Sequence, residues 1–525
     1  MQCVNSAAFK INTVQSCKDW LATLPLDNAG QAQAALVAQI KLLNVAALSP
    51  NLRLSILEHL RAPVARVQAE RARIYSNLPV PLEPPVAAVW SVVIELWLAM
   101  VHGYEACGAS GEMTFALVHQ RALDYIGLAM RDYNRIYRAV PAALWKRFHQ
   151  LFERVEAAGL AGALVDDLVN RENPPASCIA VYVQVLLAQH ATPDALTLVQ
   201  NAVIERWLKQ WSPLVTVAKT VRHDDTVPRL AVIFGADTGA RDGKAVQPAP
   251  HVRYLELGPL QAVLTQLMAG LRNGKTPADL ALGGTLSPAA CENLLLMLNM
   301  QWCGVGDGRI DERNPSSLKV MVSMSIAAMH FHLTGRAFRQ PGAPLTKREE
   351  DDMRSFGYVS DATERALLSQ NSGALETWEI INHSRSGLLG LCRQPDAGTR
   401  ICHNQLVGLR TATSRTFYLG IVQRLLIDES GAVSLGLRVI PGTPKPIAMR
   451  VRDEFSIDAD ADKFDRALLL AADEARKAPA SVIMAPNYYE PNRSAELYID
   501  AQQPVKLTAL LDKGVNFERA TFATF

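Results

Sequence analysis

Over the first two-fifths of the chain, apolar residues return every three or four positions, the spacing of one face of an α-helix. The rhythm runs from residue 16 to about residue 215. Ser16 ahead of Asp19-Trp20-Leu21 reads as a helix start, and residues 27–48 repeat small and apolar side chains at i, i+3 and i+4. Pro50, Pro63 and the proline-rich stretch 79–85 interrupt the rhythm, and residues 86–101, 114–137, 141–158, 179–190 and 193–211 resume it. Helices joined by short turns in this way predict an α-helical bundle or solenoid over residues 1–215. No fixed period recurs that would specify a tetratricopeptide array.

The character shifts after residue 215. Residues 230–234 and 252–257 read as short strands around a loop rich in Gly, Asp and Pro, and helices are expected at 260–271 and 289–302. Residues 216–304 are therefore expected to form an α/β connector or small subdomain. Beyond them lie β-prone runs at 317–326, 378–381, 388–392, 405–411, 416–427 and 433–440. Residues 335–376, which hold Pro341, Pro344 and the run Lys347-Arg348-Glu349-Glu350-Asp351-Asp352, read as an insertion whose charges begin a solvated helix. A helix is expected at 462–477 and strands at 481–484, 495–500 and 505–511, making residues 453–525 a C-terminal helix with a β-rich extension. The class is α+β and multidomain.

Composition narrows this little. Of 525 residues, 49% are hydrophobic and 20% charged, and the net charge of +2 gives no overall field to attract nucleic acid, so an anion site must be local. The eight cysteines include no Cys-x-x-Cys and no zinc-like spacing with His, so they read as reduced thiols of a cytoplasmic protein. Neither a basic n-region nor an apolar h-region marks the N-terminus, and the apolar run 86–101 is short for a membrane span and carries Glu95. Gly304-Val305-Gly306-Asp307-Gly308 lacks the Gly-Lys-Ser/Thr ending of a phosphate loop, and no nucleophile elbow or His-Glu-x-x-His is present. His330 and His332, two apart, would share a strand face but lack a third metal ligand. No cofactor, metal or catalytic group is expected.

One pair of segments does carry chemistry. Asn382-His383-Ser384-Arg385-Ser386-Gly387 connects two β-prone runs, Trp-Glu-Ile-Ile and Leu-Leu-Gly-Leu-Cys. Asn382 supplies an amide that donates and accepts, Ser384 a hydroxyl, and Gly387 a backbone that tolerates close approach. Upstream, Arg309-Ile310-Asp311-Glu312-Arg313 holds two guanidinium groups four residues apart before the first strand, each a fork for phosphate or guanine or a plane for a purine. Another Arg-x-x-x-Arg, Arg131 and Arg135, lies in helical sequence, where the spacing puts both on one face.

The order of arginine arm, strand, Asn-x-Ser-x-x-Gly turn and further strands resembles the PilZ domain, the bacterial receptor module for cyclic di-GMP. The resemblance covers residues 305–452, with 335–376 inserted. It implies a six-stranded barrel in which Arg309 and Arg313 clamp guanine and phosphate while Asn382, Ser384 and Gly387 form the opposite wall, flanked by His383 and Arg385. The function it implies is a non-enzymatic cyclic di-GMP receptor that acts through a protein partner bound to the helical region. The competing expectation is an adaptor whose barrel holds no nucleotide.

Overall fold

The computed structural model describes residues 8–108, 111–167, 169, 174–220, 230–304, 314–342, 347–356, 375–383, 388–393, 398–414, 416–451 and 463–524. The chain divides into two compact units, Met1–Ile310 and Asp311–Phe525.

The first unit carries helices α1 (Val14–Ala22), α2 (Ala29–Val45), α3 (Pro50–Tyr75), α4 (Pro84–Glu105), α5 (Glu112–Asn134), α6 (Ala142–Ala157), α7 (Cys178–His190) and α8 (Leu198–Trp211). Thr13, Asn28, Ser49, Ser177 and Thr197 each accept a backbone N–H at a helix start, satisfying donors that have no partner within the helix. Ser16 thus sits inside the first turn, where its side chain completes a capping box with Thr13. The extensive helix–helix contacts join sequence neighbours (α4 with α5, α3 with α4) or next-but-one helices (α2 with α4, α5 with α7). That is how helices stack in a solenoid, where each touches only near neighbours. Helix α4 has the length and apolarity of a membrane span, yet it packs on α2, α3 and α5 and buries Trp90, Trp97 and Tyr104.

A buried carboxylate ties three of these helices together. Asp132 of α5 accepts from the Tyr75 hydroxyl of α3 (2.9 Å) and the Trp97 indole of α4 (2.7 Å) and pairs with Arg135, while its backbone carbonyl accepts from Trp90. Burial and this carboxylate push the Tyr75 hydroxyl pKa upward, so it stays a donor. After α8 come β1 (Thr216–Ala218), β2 (Leu230–Ile233), β3 (Arg241–Asp242) and β4 (Val252–Glu256), an antiparallel sheet in the order β1-β4-β2-β3, then α9 (Gly258–Arg272) and α10 (Pro288–Cys303).

The second unit contains β5 (Asn314–Ser323), α11 (Ile326–Thr334), α12 (Lys347–Phe356), β6 (Glu376–His383), β7 (Leu388–Arg393), β8 (Leu406–Arg410), β9 (Tyr418–Ile427) and β10 (Val433–Ile440). These strands close a barrel in the order β10-β7-β6-β5-β8-β9. A second closed barrel succeeds it, from β11 (Pro444–Val451), β12 (Asp465–Leu470), β13 (Ser481–Met484), β14 (Ser494–Tyr498), β15 (Gln502–Lys513) and β16 (Glu518–Thr524), in the order β11-β12-β13-β16-β15-β14. Numbered within each barrel, both run 1-2-3-6-5-4 and back to 1 with antiparallel pairing throughout, so the second repeats the topology of the first.

Several expectations are corrected by this arrangement. The β-rich extension is a complete barrel, and it begins at Pro444, inside the range assigned to the first one. The helix expected at 462–477 gives way to β12, whose Ala467 faces the second barrel's interior while Leu468 and Leu470 pack on its outside; pairing with β11 and β13 overrides the helix preference of an Ala- and Leu-rich stretch. His330 and His332 lie on α11, where two residues span about 200°, so they do not share a face. His330 is buried beside Arg466, its Nδ1 has no partner among the described residues, and burial, with that arginine, pushes its pKa down to about 4.

The barrels meet through their outer faces. Leu406, Phe417, Leu419, Ile421 and Ile440 of the first pack with Leu468, Leu470, Ile483 and Phe517 of the second, and Met329 of α11 joins them. Asn516 accepts from the Leu406 N–H (2.8 Å) and donates to its carbonyl (3.2 Å), pairing with β8 as a strand would.

Asp132→Ala would leave Tyr75, Trp97 and Arg135 without their acceptor. It is expected to destabilise the helical unit by about 3–5 kcal/mol, read as a lowered urea midpoint of the helical circular-dichroism signal.

Candidate functional site

The register of the first barrel decides which residues meet at its rim. Asn314, the first residue of β5, pairs with His383, the last of β6, and Pro315 pairs with Asn382. Opposed residues in antiparallel strands lie about 4.5–5.5 Å apart between Cα atoms. The arm that ends at Arg313 and the turn that begins at Ser384 therefore join the barrel at one point. Arg309, Arg313, Ser384, Arg385 and Gly387 lie outside the described residues, whereas Asn382 and His383 lie within them.

A β-bulge turns Asn382 outward. Ile380 pairs with Leu391 and Asn382 with Gly390, so Ile381 is an extra residue on β6. Strict alternation would send Asn382 inward with Trp378 and Ile380. The bulge shifts the phase by one. Leu391 is buried inside, so its neighbour Gly390 lies on the outer face, and Asn382 opposite it does too. The half-buried Asn382 thus presents its amide on the barrel exterior, while the exposed His383, opposite Leu389, ends the strand at the rim.

Across that face the pairing continues from Gly390 to Gly436 of β10 and from Gly436 to Arg424 of β9, where a second shift makes Gln423 the extra residue. The result is a row Asn382, Gly390, Gly436, Arg424, with two glycines as its floor. A Cβ on Gly390 would fall 2.8 Å from the Asn382 Oδ1, and one on Gly436 would fall 2.9 Å from the Arg424 Cβ. The glycines thus leave room for the Asn382 amide and the Arg424 side chain to lie close against the sheet. The row carries an amide at one end and a guanidinium at the other, both donors for anionic or carbonyl oxygens. Sequence reasoning missed Gly390, Gly436 and Arg424. The available signal was a lone glycine inside each of two strand patterns, Leu-Leu-Gly-Leu-Cys and Ser-Leu-Gly-Leu-Arg, which marks close backbone approach.

At the other end of the β6–β7 pair, Glu376 accepts from Arg393 (2.7 Å) and the Trp378 indole (3.1 Å), and Arg393 stacks on Trp378 at 5.0 Å. Burial alone would raise the Glu376 carboxyl, but hydrogen bonds from the Thr399 N–H and Arg393 outweigh it and hold the pKa below its usual range. In the second barrel the equivalent outer row runs Leu468, Ile483, Arg519, Asp512; its two apolar members pack in the interface with the first barrel, and Arg519 and Asp512 pair with one another. Among the described residues, no group of three or more His, Cys, Asp or Glu could hold a metal.

Comparison with known proteins adds to this geometry. Residues 15–222 match the family model described as the N-terminal domain of the cyclic-di-GMP receptor FimW, and residues 455–525 match that of the FimW C-terminal beta-barrel domain. The two segments flank the first barrel. The cyclic-di-GMP receptor FimW of Pseudomonas aeruginosa is 23% identical over 528 aligned residues, covering 90% of this chain and 84% of that protein. No solved structure matches.

Because the folded state holds Glu376 more acidic than the unfolded chain does, its contribution to stability is complete above the ordinary Glu value of 4.5 and is lost as pH falls through the lower folded value. Glu376→Gln is expected to flatten the acid side of the barrel unit's stability curve, measured as urea midpoint against pH.

Proposed function

We propose that this chain is a cyclic di-GMP receptor and that its first barrel, of PilZ type, binds the nucleotide at the rim where β5 begins and β6 ends. The observation that carries this reading is the pairing of Asn314 with His383, the described residues next in sequence to the arginine arm and the polar turn. Similarity to a cyclic-di-GMP receptor over 90% of the chain supports it independently. Arg309 and Arg313 give guanidinium forks to phosphate and guanine; Asn382, Ser384 and Gly387 form the facing wall, with His383 and Arg385 beside them. Gly390 and Gly436 let the Asn382 amide and the Arg424 side chain lie close to the sheet beside that wall. The protein acts in the cytoplasm without catalysing a reaction. The arm comes directly after α10 in sequence, and capture of the ligand there biases the state of the helical region, which engages a protein partner.

Asp311 and Glu312 inside the arm favour a second reading, an adaptor with a nucleotide-free barrel, because carboxylates beside phosphate repel it. Calorimetric titration with cyclic di-GMP separates the two: absence of heat at on the order of tens of micromolar supports the adaptor. Under the receptor reading, Arg309→Ala and Arg313→Ala each lose a charge-assisted fork and weaken binding by about 1.5–3 kcal/mol, roughly ten- to a hundredfold. Ser384→Ala costs about 0.5–1.5 kcal/mol. Arg424→Ala, which removes the exposed guanidinium at the end of the row, is expected to weaken binding while the barrel stays folded; wild-type affinity in that variant and in both R309A and R313A removes the assigned site.

A further inference from the structure

One face of α5 is polar although it lies inside the helical stack. Gln120, Asp124, Arg131, Asn134 and Arg135, at helical spacing, face adjoining cavities of about 340, 110 and 280 Å³ whose other walls come mainly from α7 and α8. The 340 and 110 Å³ cavities share Asp124 and Arg131, and the 110 and 280 Å³ cavities share Arg131 and Asn134, so the three form one trough. The opposite face of α5 holds ordinary core, with Val118, Ala122, Ile126 and Ala129 buried. A helix in a stack that keeps a polar face toward an open trough breaks the packing pattern of its neighbours, and such breaks mark functional surfaces.

The trough is lined by groups that the described residues leave unused. Among those residues the carboxylate of Asp124 makes no hydrogen bond; burial raises its pKa, and the charges of Arg61, Arg121 and Lys209 act on it from around the cavity. The side-chain amides of Asn134 and of Gln189 on α7 likewise have no partner among the described residues, and each carries one acceptor and two donors. Arg131 reaches Glu205 at 3.5 Å through one terminal nitrogen, while its buried Nε has none. Arg135 commits one donor to Asp132 and keeps others for the 280 Å³ cavity. Gly127 supports this geometry: a Cβ there would fall 2.6 Å from the Val185 side chain, so α5 and α7 touch along a narrow line and their polar flanks stay open.

Length and chemistry identify the class of ligand. From Gln120 to Arg135 a helix rises about 22 Å, the span of roughly six or seven residues of extended chain. Unpartnered carboxamides match the alternating N–H and C=O groups of a peptide main chain. Both signs of charge recur along the trough, which suits a peptide better than a phosphate or nucleic acid, for which one sign would dominate. We propose that the α5 trough binds an extended peptide segment of a partner protein, with an acidic side chain at Arg131 and Arg135, main-chain bonds to Asn134 and Gln189, and a basic or amide donor at Asp124. This specifies the surface on which the helical region engages its partner and is independent of the nucleotide site.

The test pans a phage-displayed random heptapeptide library against the full-length protein, then measures labelled versions of the enriched peptides by fluorescence anisotropy. The expected result is a consensus containing Asp or Glu, with binding weakened at least about tenfold by Arg131→Gln and by Asn134→Leu. Asn134 has no side-chain partner among the described residues, so N134L is expected to keep the wild-type melting temperature and to report on binding even where R131Q does not fold. No consensus, or enriched peptides that bind N134L as they bind wild type, overturns the proposal. Titrating the same proteins with cyclic di-GMP separates the two sites: nucleotide binding lost in N134L but kept in R309A makes the trough a nucleotide site and also overturns it. Peptide binding without any nucleotide heat removes the receptor reading alone.

Discussion

The register of a single antiparallel pair governs the candidate site. Once Asn314 stands opposite His383, the chain that enters β5 and the chain that leaves β6 share one point on the rim, however far apart they lie in sequence. Closure of the six-stranded barrel makes that register hard to move, because a slip of one residue would exchange the inner and outer faces of β6 and expose Trp378. The bulge at Ile381 then supplies the one local phase change the site needs. It turns an amide outward while Trp378 and Ile380 stay in the interior, and the Glu376–Arg393–Trp378 cluster pins the far end of the same strands.

The second barrel shows the same topology without that chemistry. Its outer row offers Leu468 and Ile483 where the first barrel has Asn382 and Gly390, and those apolar side chains are buried in the interface between barrels. In one copy of the fold the row lies outside the cluster between the barrels, and in the other its apolar members lie within it. Phe417 and Phe517, both fully buried, sit in the shared cluster, and Asn516 adds bonds that a strand would make, so the two barrels are joined by packing and by directional contacts together.

Much of this was legible in the sequence because the physics involved is local. Helical spacing located α2 and α4 through α8, and β-prone runs located strands of the first barrel, whereas α3 runs through Pro63, where the rhythm reads as interrupted. The features that stayed hidden depend on pairing across long distances. Residues 465–470 carry helix-preferring Ala and Leu and become a strand only because β11 and β13 flank them. The period-two placement of His330 and His332 is compatible with either element, and the Ser325 side chain that accepts from Ala328 N–H settles it as a helix. The glycine floor needed three strand registers at once, since Gly390 and Gly436 are neighbours only in the closed sheet. Arg131 and Arg135 looked like an ordinary helical face, and spacing cannot show that the face borders cavities.

The rigid attachment of the two barrels also limits how a bound ligand can be felt elsewhere. The outer-face cluster that joins them is fully packed, and close-packed interfaces transmit strain without yielding to it. Under the receptor reading, a ligand at the rim of the first barrel meets a closely packed seam among the described residues. In sequence the arm follows α10, whose last turn ends at Gly304 in the left-handed region (φ 66°), a conformation that stops the helix. Differential affinity acts only on elements with two accessible arrangements, and a seam packed this closely favours the barrel pair acting as one body.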